Sequence, residues 1–173
     1  MDGYARFNEF EDVVVSVELV ALLARLLDEH PSYWKWVIIA AQGALQGAMV
    51  CALANPTSNS SPTRGKFPNE RLEEFNVLLC RCTSGPEPLL KLTSEQKRDI
   101  KQLHDHFRNN FAHFVPQGWA IPKLELPPII SAALYAVERL MTEWPVSSHV
   151  SERQQDRFSK ALQEWKKAPL PSV

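Results

Sequence analysis

The chain has 173 residues, of which 45% are hydrophobic and 23% are charged, the proportions of a globular protein large enough for one core. Its formal net charge is −1, which excludes a protein that binds nucleic acid through overall positive charge. We therefore predict a single domain over residues 1–173, in which any nucleic-acid contact uses a local basic patch or a cleft shared between subunits.

The amino-terminal residues 1–11 carry acidic and aromatic side chains instead of the basic start and apolar run of a signal peptide. The three cysteines, Cys51, Cys80 and Cys82, form an odd set without zinc-ligand spacing. Both features predict a cytoplasmic protein with reduced thiols and no structural metal. We also expect no cofactor. The apolar stretch Trp36–Ala54 is interrupted by glutamine and glycine, which favours a buried helix over a membrane span.

Dense apolar residues over Val13–Leu27 predict the first helix, with Glu18 and Arg25 facing solvent, although a β-branched run at its start also fits a strand. Ser32 is predicted to cap the central helix, about Tyr33–Leu53.

Two pairs of residues on the central helix are spaced four apart and so share a face. Gly43 and Gly47 predict a surface that another helix approaches closely, either inside the core or at a subunit contact. Gln42 and Gln46 either form hydrogen bonds across the core or face the segment described below, and both interpretations stay open.

Residues 55–68 are rich in Asn, Ser, Thr and Pro and predict a loop. Asn69 is predicted to cap a short helix from Glu70 to about Cys82. The apolar stripe predicted for this helix consists of Leu72, Phe75, Leu78 and Leu79. Thr93 with Gln96 predicts a capping box that starts another helix.

That helix is predicted to end near His113, with the apolar stripe Ile100, Leu103, Phe107 and Phe111. A further helix is predicted from Pro127 to about Trp144, and a final one over about residues 151–167. The final helix carries Phe158, Leu162 and Trp165 on one side. With no convincing strand pattern, the fold class is all-α.

The segment Leu103–Phe114 combines side chains suited to cleaving a phosphodiester. Asn109 and His113 share a helix face, and Arg108 lies about 100° from Asn109 around the axis. An imidazole exchanges protons near neutral pH, a guanidinium matches phosphate, and RNA supplies its own nucleophile, the 2′-hydroxyl. A structural alternative is that Arg108 and His113 lie here only because the negative end of the helix dipole stabilises positively charged side chains.

Two more histidines, His104 and His106, precede Arg108. They are spread around the helix axis, so a metal site with His113 is disfavoured, and we predict surface positions for both.

The spacing Arg108-Asn109-x-x-x-His113 inside a helix of an all-α chain resembles the signature of the HEPN superfamily. In that signature an arginine, usually followed by a polar residue, precedes a histidine with four to six residues between them. The longer string up to Trp119, and the helix around Ala40–Met49, are similar to bacterial HEPN-like proteins. The resemblance covers about residues 33–140.

The resemblance implies an antiparallel bundle of five to six helices that forms a homodimer, with both motifs meeting in a cleft. It implies a metal-independent ribonuclease that produces 2′,3′-cyclic phosphate ends and acts as a toxin or in phage defence. His113 would then transfer the proton, Arg108 would bind phosphate and stabilise the transition state, and Asn109 would assist them.

We expect RNA to be bound by Asn110, Lys101, Trp119 and Lys123, with Trp119 either stacking on a base or anchoring the core. The expected partners are a second copy of the chain, RNA and an antitoxin protein, with no membrane. The alternative is a non-catalytic HEPN-like module for dimerisation, nucleotide binding or protein interaction.

Overall fold

The computed structural model describes residues 8–54, 62–64, 70–112, 120–143 and 146–170, and within them the chain is an all-α helical bundle. The helices are α1 Glu9–Ala24, α2 Trp34–Leu53, α3 Phe75–Thr83, α4 Ser94–Gln102, α5 Asn109–Ala112, α6 Leu126–Thr142 and α7 Glu152–Lys167. A π-helical turn, Leu103–Arg108, joins α4 to α5 in one continuous helix. Single 3-10 turns lie at Pro31–Tyr33, Lys123–Glu125 and Val146–His149.

The predicted all-α class is confirmed, with one small exception. Thr63–Arg64 (β1) and Arg71–Leu72 (β2) pair antiparallel, with Thr63 opposite Leu72. No strand was predicted here, because two-residue strands are too short to show an alternating pattern.

Helices α1 and α2 pack antiparallel at very short range. A Cβ atom built on Gly47 would lie 2.8 Å from Cγ2 of Val13, whereas one built on Gly43 has no atom within 4 Å. The predicted close approach of another helix therefore occurs at Gly47, within the chain, and the neighbour is α1.

Helix α7 lies along α1 and runs in the same direction. This direction follows from the ion pairs, in which successive residues of α7 meet successive residues of α1. Arg157 donates to Glu11 and to Glu18, each at 2.6 Å, and Glu164 pairs with Arg25 further along. The prediction that Glu18 and Arg25 reach solvent is confirmed, with 36% and 52% of their side chains exposed, and both charges also pair with α7.

Several predicted helix starts are wrong, because the residue types that cap helices also occur in turns. Helix α1 begins at Glu9, where the Asn8 side chain accepts from the Glu11 amide at 2.8 Å. Ser32 lies inside a 3-10 turn and caps nothing. Helix α3 begins at Phe75, and Leu72 lies in β2 with 42% of its surface exposed, outside the apolar stripe. Asn69 lies outside the described residues.

Within the described residues one helical stretch, Pro31–Leu53, is long and apolar enough to cross a membrane. Most of its apolar side chains, including Ile38, Leu45 and Met49, are buried among the other helices of the bundle. Core packing accounts for its composition.

The predicted final helix is confirmed over Glu152–Lys167, with Phe158, Leu162 and Trp165 buried. Ser151 and Gln154 form a capping box at its start. Phe158, Leu162 and Trp165 recur every three or four residues, so the buried side of α7 follows directly from helical spacing.

Candidate active site

The continuous helix from Ser94 to Ala112 carries the segment singled out for chemistry. The predicted capping box is confirmed: the Thr93 hydroxyl accepts from the Gln96 amide at 3.1 Å, and the Gln96 side chain accepts from the Thr93 amide at 3.0 Å. The predicted core side is also confirmed, with Ile100, Leu103 and Phe107 buried and Phe111 partly buried against the core. This side fixes the helix against α2 and α6.

The π-helical turn lies immediately before the motif. The backbone N–H of Asn109 points to the carbonyls of His104, five residues back, and His106, three residues back, instead of the carbonyl four residues back. One extra residue is therefore accommodated between α4 and α5, and helical spacing counted across the turn is shifted. Such single-turn widenings are common at functional sites.

Arg108 and Asn109 are brought together at the end of this turn. Both are half-buried, and Nη1 of Arg108 donates to Oδ1 of Asn109 at 3.1 Å. A guanidinium has five N–H groups in a rigid fork, so this bond restrains its plane while using one donor. Asn110, which follows, is exposed.

The other predicted site residues are spread out or lie elsewhere. Lys101 is exposed on α4, and Lys123 is exposed on the turn before α6, where it lines a groove with Phe111. His113 and Trp119 lie outside the described residues.

A buried polar contact links α2 to the π-helical turn. Gln42, which is 4% exposed, donates from Nε2 to Oε1 of Gln46 at 3.0 Å, and the same atom lies 3.4 Å from Nδ1 of His104. Because an amide nitrogen only donates, Nδ1 of His104 accepts in this arrangement, which requires a neutral ring with its proton on Nε2. The two glutamines therefore bond to each other along α2, and Gln42 also contacts the segment.

His104 contacts this amide through its Nδ1 atom and an aromatic ring through one of its faces. Its imidazole stacks on Phe75 of α3, with ring centroids 4.1 Å apart and planes 10° apart. The prediction of a surface position for His104 is therefore wrong in part: the ring is half-buried, because Phe75 of α3 covers one of its faces. His106 is exposed, as predicted, and meets Phe107 edge-on with centroids 5.0 Å apart.

The surroundings of His104 favour the neutral form of its ring. Burial lowers the pKa of this imidazole, the charge of Arg108 lowers it further, and the carboxylate of Asp105 opposes them. Asp105 is itself held by Asn76 of α3, whose Nδ2 donates to Oδ1 at 3.0 Å. A neutral imidazole thus lies near the motif's guanidinium.

We expect the protein to lose stability in mild acid through His104. Its folded pKa is lowered, so the unfolded chain binds more protons as the pH falls through the ordinary histidine value of 6.5. The stability contribution is present above that value and lost below it. Urea unfolding across this range should show a smaller pH dependence for His104→Gln, which keeps a polar partner for Gln42. Equal pH dependence in both proteins would contradict a half-buried His104 ring with a lowered pKa.

Within the described residues, no group of three or more His, Cys, Asp or Glu side chains is arranged to hold a metal ion. Comparison with protein families, curated proteins and solved structures finds no match for the chain. Among the described residues, the motif offers a guanidinium that can bind phosphate and an amide that orients the guanidinium.

Proposed function

We propose that the protein is a metal-independent endoribonuclease of the HEPN type. The observation that supports it best is the arrangement of Arg108, half-buried at the end of a π-helical turn with its guanidinium bonded to the neighbouring Asn109 amide. A restrained guanidinium offers a planar site for two phosphate oxygens, as charge stabilisation during phosphoryl transfer requires.

In the proposed reaction His113 takes the proton of the RNA 2′-hydroxyl, whose oxygen then attacks the adjacent phosphorus. The bond from phosphorus to the 5′-oxygen breaks, and that oxygen leaves with a proton from a protonated imidazole. The products are a 2′,3′-cyclic phosphate and a 5′-hydroxyl. Arg108 stabilises the negative charge on the phosphoryl oxygens, and Asn109 holds Arg108 in position.

The proposed enzyme is a homodimer whose two motifs share one cleft. The chain has a net charge of −1, so pairing two copies of Arg108 and His113 would concentrate positive charge where the polyanion binds and would supply two imidazoles. Light scattering should give twice the mass of the chain. RNA cleavage by a species that stays monomeric would contradict a shared cleft.

The activity is tested by incubating purified protein with single-stranded RNA in EDTA. We expect cleavage by the natural protein and none by His113→Ala, whose helical circular dichroism and thermal unfolding should match the natural protein. Unchanged cleavage by His113→Ala would refute the assignment of the proton-transfer residue. An absence of cleavage at high protein concentration, with the dimer intact, would instead favour the non-catalytic interaction module.

A nuclease of this kind would harm the cell that makes it, so we include a toxin role and an antitoxin partner in the proposal. Expression of the natural protein alone should slow growth of its host, and His113→Ala should not. Equal growth arrest by both proteins would contradict toxicity through RNA cleavage.

A further inference from the structure

A groove of about 330 Å³ lies one helical turn beyond Arg108, at the end of α5. We call it the basic groove. Its lining includes Trp34, Lys35, Phe111, Lys123 and Leu126. Phe111 follows Arg108 by three residues, so the groove and the guanidinium are adjacent along the same helix.

The charge of the basic groove is positive. Among the described residues that line it, Lys35 and Lys123 are the charged ones and none carries a carboxylate. Glu125, in the same turn as Lys123, is exposed and is not part of the lining. The rest of the wall is largely apolar, with Trp34 and Leu126 buried beneath it. An apolar floor with lysines at its edges suits a ligand with flat apolar faces and a phosphate backbone.

An exposed tryptophan borders this groove. Trp36 leaves 50% of its surface in solvent, and Nζ of Lys35 lies 5.0 Å from the centre of its ring. Lys35 therefore contacts the ring and lines the basic groove at once, which places the ring beside the groove. Because Nζ of Lys35 lies over one face of the ring, a base would stack on the other face, and a cation beside an aromatic ring matches one nucleotide, whose phosphate lies beside its base.

We propose that the basic groove and Trp36 together bind a single-stranded stretch of RNA that leads to Arg108. Lys35 and Lys123 contact its phosphates, and one base stacks on Trp36. The strand must be single because a base in a duplex is not free to stack on a side chain. That the ligand is RNA rests on the proposed function; the groove, the lysines and the ring are independent of it.

Binding is measured with a short fluorescent 2′-O-methyl oligoribonucleotide, which lacks the attacking hydroxyl and so stays intact. Trp36→Ala should weaken binding by about fivefold to a hundredfold, the effect of losing one stacked base, and Trp36→Phe should restore most of it. Lys35→Ala should lower the slope of log affinity against log salt by about 0.7, the value for one phosphate contact on a single strand. Lys91→Ala, which removes an exposed lysine outside the groove, serves as the control.

The outcomes separate this inference from the proposed activity. The natural protein could cleave RNA while Trp36→Ala and Lys35→Ala bind the oligonucleotide normally. This result would contradict RNA binding at the basic groove and would not affect the proposed nuclease activity. Affinity that depends on Trp36 and Lys35, without cleavage by the natural protein, would support the groove and overturn the nuclease. No binding of the oligonucleotide, or equal loss with Lys91→Ala, would also overturn the groove.

Discussion

Arg108→Ala is expected to lower the rate of RNA cleavage by about 100- to 1000-fold, the usual effect of removing one group that stabilises charge in a transition state. The side chain is half-buried and its bond is to the adjacent Asn109, so the fold should tolerate the change. Initial cleavage rates in EDTA measure the effect. Arg153→Ala, an exposed arginine on α7, is the matched control and should cleave at the natural rate.

Two further variants separate charge from geometry at this position. Arg108→Lys keeps the positive charge but loses the planar fork and should recover little activity. Asn109→Ala keeps the guanidinium but removes its 3.1 Å restraint and should lower the rate by a smaller factor than Arg108→Ala. Natural cleavage rates in Arg108→Ala would contradict the role of the guanidinium.

Gly47→Leu is expected to destabilise the folded protein by about 3 kcal/mol, near the upper end for an overpacked core. A Cβ at this position already lies 2.8 Å from Cγ2 of Val13, a stiff β-branched side chain that is fully buried. Leucine is a good helix former, so the loss would come from packing and not from helix propensity. Urea unfolding measures the free energy.

Alanine at the two glycines of α2 provides the matched comparison. Gly47→Ala gains helix propensity but meets Val13, and should lower the free energy of unfolding by about 1 kcal/mol. Gly43→Ala meets no atom within 4 Å and should raise it by about 0.5–1 kcal/mol. Equal effects at the two positions would contradict the close crossing of α1 and α2.

The features that could be predicted from sequence are those set by neighbours within one helical turn. Thr93 and Gln96 form the predicted capping box because both bonds are local. Phe107 is buried because apolar residues recur on its side of the helix. Arg108 and Asn109 meet because they are adjacent in the chain.

The features that could not be predicted from sequence depend on contacts between segments that are distant along the chain. His104 looked exposed because nothing in its own helix covers it; its cover is Phe75, from α3. Buried Gln42 was the one available signal, since a polar side chain on an apolar helix needs a partner. The π-helical turn has no composition signature, so the shift it introduces ahead of Arg108 could not be read from periodicity.

The most direct test of the central claim is the identity of the RNA ends produced in EDTA. Cleavage through the 2′-hydroxyl predicts 2′,3′-cyclic phosphate and 5′-hydroxyl ends on natural RNA, and no cleavage of the same sequence with 2′-O-methyl groups. Cleavage of the 2′-O-methyl strand, or ends that carry a 5′-phosphate, would contradict attack by the 2′-hydroxyl and with it the proposed reaction at Arg108 and His113.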